Sequence, residues 1–194
     1  MNMKHHIIIA ALAAFVASLP ALAQKIETDK VDADGTRTII GSLERCRDFT
    51  DRQVLYFGLM SVVTATDTTY CLALQIKDFD HLHIKKDSRL LVKTFKGENF
   101  ELLNDVDVEC SVPTLNQATG NYYVNEYIVT AMYRVTPAVL EAIARDGIKK
   151  IRIEGELKQY DKEYKKDKAG KVLATEYNLI RAKLAKKADF HDDF

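Results

Sequence analysis

From Val54 to Val135 the chain is written mainly in β-branched, aromatic and large apolar residues, broken by short polar turns. Val54 to Ala65 is an almost unbroken apolar run. After Thr66-Asp67-Thr68, the stretch Thr69 to Lys77 sets Tyr70, Leu72, Leu74 and Ile76 on one side. Two such runs around a polar turn predict a β-hairpin. Arg89 to Phe95, a turn at Lys96-Gly97-Glu98-Asn99 and the return Phe100 to Leu103 predict a second hairpin. Val106 to Val112 alternates, and Tyr122 to Val135 is long and rich in Tyr, Val, Ile and Thr. Upstream, Lys25 to Gly35 is polar with a turn signal at Asp34-Gly35, and Thr36 to Ile40 fits a short strand. The stretch from there to Asp51 is ambiguous, with Leu43 as its clearest apolar anchor, and Asp78 to Asp87 is a polar connection.

The period then changes. Thr136-Pro137 is a helix start, because Thr caps free backbone N–H groups and Pro suits the first helical position. Leu140, Ile143 and Ala144 share a face, Glu141 and Arg145 form an i,i+4 pair, and Gly147 supplies a left-handed stop. Ile148, Ile151, Ile153 and Leu157, with Lys150, Arg152, Glu154 and Glu156 opposite, describe a strand with one wet face. Tyr160 to Lys171 is charged and turns at Ala169-Gly170. Beyond it Leu173, Tyr177, Ile180 and Leu184 recur at helical spacing, an amphipathic helix over about 172–187 with a frayed end from Asp189. Strands precede the first helix and no β-α-β alternation exists. The predicted class is therefore α+β, an antiparallel sheet or sandwich with a packed helix at about 137–146 and a C-terminal amphipathic helix. Residues 24–160 form the expected domain. Residues 161–194 are a charged linker and helix packed on it.

One segment stands outside this frame. Lys4, the apolar run Ile7 to Ala17, the break Ser18-Leu19-Pro20 and Ala21-Leu22-Ala23 follow the order of a secretory signal peptide, with cleavage after Ala23. The run is too short for a membrane-spanning helix. Gln24, not Cys, follows the cleavage point, so no lipid anchor is expected. The chain has three cysteines and no Asn-x-Ser/Thr acceptor, which fits a bacterial periplasmic or secreted product. No membrane insertion is expected once the leader is gone.

Charge narrows the partners. The 28 basic and 28 acidic residues balance, and the leader removes only Lys4. A near-neutral product has no field that would draw nucleic acid. Lys162, Lys165, Lys166 and Lys168 interleave with Asp161, Glu163 and Asp167, which reads as a solvated face. Cys46, Cys71 and Cys110 are an odd set, so at least one thiol stays unpaired or pairs between chains. Cys110 follows Val106 and Val108 in alternation and is expected to point at the core.

Candidate chemistry is sparse. Asp78, His81 and His83 are the metal-ligand types that cluster, since residues two apart share a face of an extended chain. Imidazole plus carboxylate would suit zinc or copper. His191-Asp192-Asp193 is a weaker tail feature. Asp105/Asp107 and Glu154/Glu156 are carboxylate pairs on single strands, which rarely flank one bond across a cleft. Tyr122, Tyr123 and Tyr127 are candidate ligand-stacking residues; Tyr123 and Tyr127 share parity with Val129 and Tyr133, so core packing competes with that role. No G-x-S-x-G, phosphate-cradling loop or H-E-x-x-H motif occurs, and no cofactor is implied.

Two stretches carry a resemblance. Asp87 to Thr94 with Gly97-Glu98 and Phe100-Glu101-Leu102 is one. Tyr133 to Pro137 through Leu140, with Gly147-Ile148-Lys149-Lys150-Ile151-Arg152, is the other. They resemble recurring pieces of uncharacterised small secreted α+β proteins of Gram-negative bacteria. The matching residues are turn, cap and strand residues, so the resemblance implies a fold and no active site. The favoured expectation is an exported non-enzymatic protein that binds a protein, peptide or glycan. The alternatives are a small metal-dependent exported hydrolase using His81 and His83, and an assembly protein that self-associates through its C-terminal helix.

Overall fold

A computed structural model describes residues 24–46, 54–110, 114–117 and 123–191. The expected leader, residues 1–23, Val112, Tyr122 and the tail residues Asp192-Asp193-Phe194 lie outside the described residues. In chain order the elements are β1 Ile26–Val31, β2 Arg37–Gly41, β3 Glu44–Arg45, β4 Val54–Val63, β5 Thr68–Asp78, β6 His83–Ile84, β7 Arg89–Thr94, β8 Asn99–Leu103, β9 Val108–Glu109, β10 Thr114–Gln117 and β11 Tyr123–Val135. Then follow α1 Pro137–Asp146, β12 Ile148–Glu154, β13 Gln159–Glu163 and α2 Ala169–His191.

The apolar run and its partner form the expected hairpin. β4 and β5 pair from Val54↔Lys77 to Val63↔Thr68, and the turn closes where Thr64 N–H donates to Asp67 O at 2.8 Å. β11 lies antiparallel along the other side of β5, from Tyr127↔Asp78 to Val135↔Tyr70. The large sheet has the order β1-β2-β4-β5-β11-β10, with β3 on β4. A second sheet has the order β13-β12-β7-β8, and β6 pairs β9 in a short ladder. Each of these pairings runs antiparallel, as the patterning predicts.

One core joins these parts. Phe57, Leu59, Leu72, Leu74 and Tyr133 of the large sheet meet Leu90, Val92, Ile151 and Ile153 of the second. Leu140 and Ile143 of α1 belong to it, as do Leu173, Tyr177 and Ile180 of α2. The opposite face of the large sheet is apolar too: Ile40, Tyr56, Met60, Cys71, Ala73 and Met132 make a smaller cluster. A strand buried on both faces has no polar side to show, which is why residues 54–63 read as continuous rather than alternating.

α1 begins and ends where its signals stand. Thr136 Oγ1 accepts from Val139 N–H at 3.4 Å, and Gly147, at φ 67°, donates its N–H to Ile143 O. Arg145 does not pair with Glu141, however; it reaches Asp146 at 2.8 Å and Glu98 at 3.3 Å.

Five expectations need correction. Lys25 to Gly35 contains β1, whose hairpin with β2 turns at the Asp34-Gly35 signal. The charged stretch after Tyr160 contains β13, which buries Tyr160 and turns Asp161 and Glu163 outward. Ala169-Gly170 opens α2 instead of turning before it. Asp167 Oδ1 accepts from Gly170 N–H at 2.9 Å and from Ile148 N–H at 3.0 Å, so one carboxylate caps the helix and ties it to β12. A Cβ on Gly170 would fall 2.5 Å from that oxygen, so glycine serves close approach here. The polar connection from Asp78 also contains β6, and the strand expected over 106–112 is described only as Val108–Glu109.

Candidate functional site

The outer face of the second sheet is built by alternation. On β7, Leu90 and Val92 are buried while Arg89 and Lys93 are exposed and Leu91 is half-buried. On β12 a register shift between Ile148 and Lys150 lets Ile148, Ile151 and Ile153 all bury, leaving Lys150, Arg152 and Glu154 outside. Register sets the outward residues in rows. Lys150 faces Lys93, which faces Asn99; Arg152 faces Leu91, which faces Glu101. β13 adds Asp161 beside Arg152 and Glu163 beside Lys150.

Across this face opens a groove of about 430 Å³, lined by Leu91, Lys93, Asn99, Glu101, Lys150 and Arg152 among others. The carboxylates around it are drawn to particular cations. Asp161 receives a two-pronged contact from Arg152 at 2.6 and 2.7 Å, which with Lys150 holds its carboxyl down to about 2. Glu154 takes Arg89 at 2.9 and 2.7 Å, and that guanidinium lowers its pKa. Such a face can hold a ligand that presents a charge and an apolar portion together.

A second polar cluster sits at the β6–β9 ladder. His83 Nδ1 lies 2.6 Å from Glu156 and Nε2 lies 2.8 Å from Asp107. Lys85 reaches Glu156 at 2.6 Å. Hydrogen bonds to Asp107 and then Glu156 raise the imidazole pKa. With a carboxylate on each nitrogen, the charged ring donates twice and clips β6 to the β12–β13 turn and to the segment before β9.

The sequence candidates separate in space. Asp78 ends β5, buried, and accepts from Phe79 N–H at 2.7 Å. His81 sets its ring edge-on to Tyr127, 5.7 Å between centroids, and lies 3.8 Å from Glu109. His83 is committed to its two carboxylates. Among the described residues no group of three or more His, Cys, Asp or Glu is placed to hold a metal ion. Tyr127 is half-buried, Tyr123 is placed by its backbone pairing with Gln117, and Tyr122 is outside the described residues. The carboxylate pairs divide: Asp105 binds Arg134 at 2.7 Å and Asp107 binds His83. All three cysteines are free thiols; Cys46 belongs to the main core and Cys71 to the opposite cluster, so the sheet separates them. Cys110 is half-buried against the main core.

Sequence reading missed Glu176, which is fully buried. β2 and β3 pair with β4 in registers that differ by one, so Gly41, Ser42 and Leu43 bulge opposite Gly58 and Leu59. Leu59 N–H donates to Glu176 Oε2. Gly41 makes the room: a Cβ there would lie 2.7 Å from the same oxygen. Glu176 Oε1 is buried with no hydrogen-bond partner among the described residues. Burial foremost, helped by the Glu44 charge, pushes its pKa up to about 9 against the Leu59 and Ser42 hydrogen bonds. The signal is present in the chain: Glu176 lies three after Leu173 and four before Ile180, on the apolar face.

Fold and site define an antiparallel α+β protein with a charged groove on one sheet face. Comparison with family models, curated proteins and solved structures finds no match to this chain.

Proposed function

We propose that this chain is an exported, non-enzymatic binding protein of the bacterial envelope or exterior, and that it engages a protein, peptide or glycan through the outer face of β7, β8 and β12. The observation that carries the reading is the groove itself. It places the half-buried Leu91 among Lys93, Lys150, Arg152 and Glu101 on a face built from three paired strands. Sites on paired strands hold their side chains more precisely than sites on loops. We read the two larger sheets as facing layers of a sandwich, which would leave this face free for a partner. Export rests on the leader-like order of residues 1–23. Among the described residues no helix is long and apolar enough to cross a membrane.

The test is amide chemical-shift mapping of the purified protein against a panel of short peptides and oligosaccharides. Binding partners are expected to move amides of β7, β8 and β12 together. Partners that bind while leaving those amides unmoved would remove the reading. Mass analysis of the exported product tests the leader separately, with a start at Gln24 expected and retained Met1 as the contrary result.

A further inference from the structure

The geometry points to a carboxylate subsite within this groove, where an acidic side chain of a partner peptide sits between Lys93 and Lys150 and its aliphatic neighbour rests on Leu91. The inference rests on the binding role proposed above and names the ligand chemistry.

The register places Lys93 directly opposite Lys150. Like charges so placed across a strand pair repel, and an anion between them removes the repulsion. The acids around the pair leave Lys93 unmatched. Asp161 is held by Arg152 on the far side of β12 and also pairs with Lys150 at 3.3 Å. Glu163 contacts Lys149 at 3.8 Å. Glu101 and Glu154 both lean to Arg89, at 3.6 and 2.7 Å. Among the described residues Lys93 is the cation of this face that has no ion pair.

The groove's charged lining is three cations, Lys93, Lys150 and Arg152, against Glu101, and Asp161 beside it neutralises one of them, which leaves a net single positive charge. That local excess of positive charge stands in a chain whose total charge is zero. A single carboxylate is therefore the complement, and local fields of this kind act on the encounter as well as on the bound state. Leu91 lies one row along, beside Arg152 and Glu101. An aliphatic group next to the acid would cover it. Glu101 at that end disfavours a second acid there. Sugar acids are the weaker fit, because an aromatic platform is the usual seat for a sugar ring. Phe100 belongs by alternation to the inner side of β8 and packs against the core, and the chain has no Trp.

The test titrates the ¹⁵N-labelled full chain with acetyl-Leu-Glu-Leu-amide, its Gln counterpart, a galacturonic acid trimer and inorganic phosphate. The acidic peptide is expected to move amides around Lys93 and Lys150, and to bind more tightly than the Gln peptide by roughly fivefold, the upper range for a partly exposed ion pair. Lys93→Gln should erase that difference without lowering thermal stability, since it relieves the repulsion with Lys150. Equal binding of both peptides at the groove would sink the carboxylate subsite and leave the binding role standing. Tighter binding of the sugar acid, or of phosphate alone, at those amides overturns the choice of an acidic peptide. If no probe moves them at millimolar concentration, the subsite falls, while the binding role is decided by the wider panel of peptides and oligosaccharides.

Discussion

Replacing Glu176 with Gln keeps the shape of the side chain and removes its ability to ionise. In the fold this carboxyl is fully buried beneath α2, with Leu59 N–H on one oxygen. Its pKa is raised from 4.5 to about 9 by burial, with Glu44 adding to the shift. In the unfolded chain the same group ionises near the ordinary Glu value. Between those two values the unfolded state gives up a proton that the folded state keeps. Stability from this group is therefore whole below about pH 4.5 and is lost as pH rises toward 9. Each pH unit costs about 1.4 kcal/mol, so by pH 7 the loss is about 3 kcal/mol. The Glu176→Gln side chain would escape that loss while still accepting from Leu59. The variant is expected to match wild type near pH 4 and to gain on it steadily from pH 5 to 8. At this chain length each kcal/mol moves the melting temperature by about 2–4 °C, so the gap at pH 7 is on the order of 10 °C. Paired urea denaturation of both proteins at half-unit pH steps reads the difference directly, because titrating groups that do not touch Glu176 cancel. A gap that does not grow with pH, or a variant weaker than wild type throughout, refutes the buried neutral acid.

Gly41→Ala puts a methyl 2.7 Å from the Glu176 carboxylate and is expected to cost about 1–3 kcal/mol by overpacking; in the background of Glu176→Ala most of that cost should vanish in a denaturation double-mutant cycle. NMR titration should find the His83 ring ionising above the usual histidine value, because Asp107 and Glu156 accept from its two nitrogens. The stability it adds is present below the usual histidine value and lost as pH rises through the raised one, and a His83 resonance titrating below the usual value would contradict the double clip. Cys46 and Cys71, buried and pushed up to about 12 by desolvation, should resist a thiol reagent in the native protein while half-buried Cys110 reacts first; mass mapping of the labelled peptides decides it.

What the sequence makes legible is local. α1 can be placed from Thr136, Pro137 and Gly147 because capping acts within a few residues. The β4–β5 and β7–β8 hairpins are readable for the same reason, since each pair is joined by its own turn. β1 and β13 are not, because their side chains are mostly polar and their strand state is set by the partner that each lies against. The face proposed for binding belongs to this second kind. Its residues are visible as the polar side of β12, yet nothing near Lys150 in sequence says that Lys93 stands across from it. That juxtaposition exists only once β7 and β12, far apart in the chain, are paired, and with it arise both the repulsion and the opening for an anion. Glu176 is the sharper case. Its place on the apolar face of α2 is readable, but whether a carboxyl is tolerable there depends on a bulge at Gly41 and on Leu59 N–H, 117 positions away. The polar residues that break the local pattern are thus the ones whose meaning is supplied by distant backbone, and they are where this fold departs from what packing alone would choose.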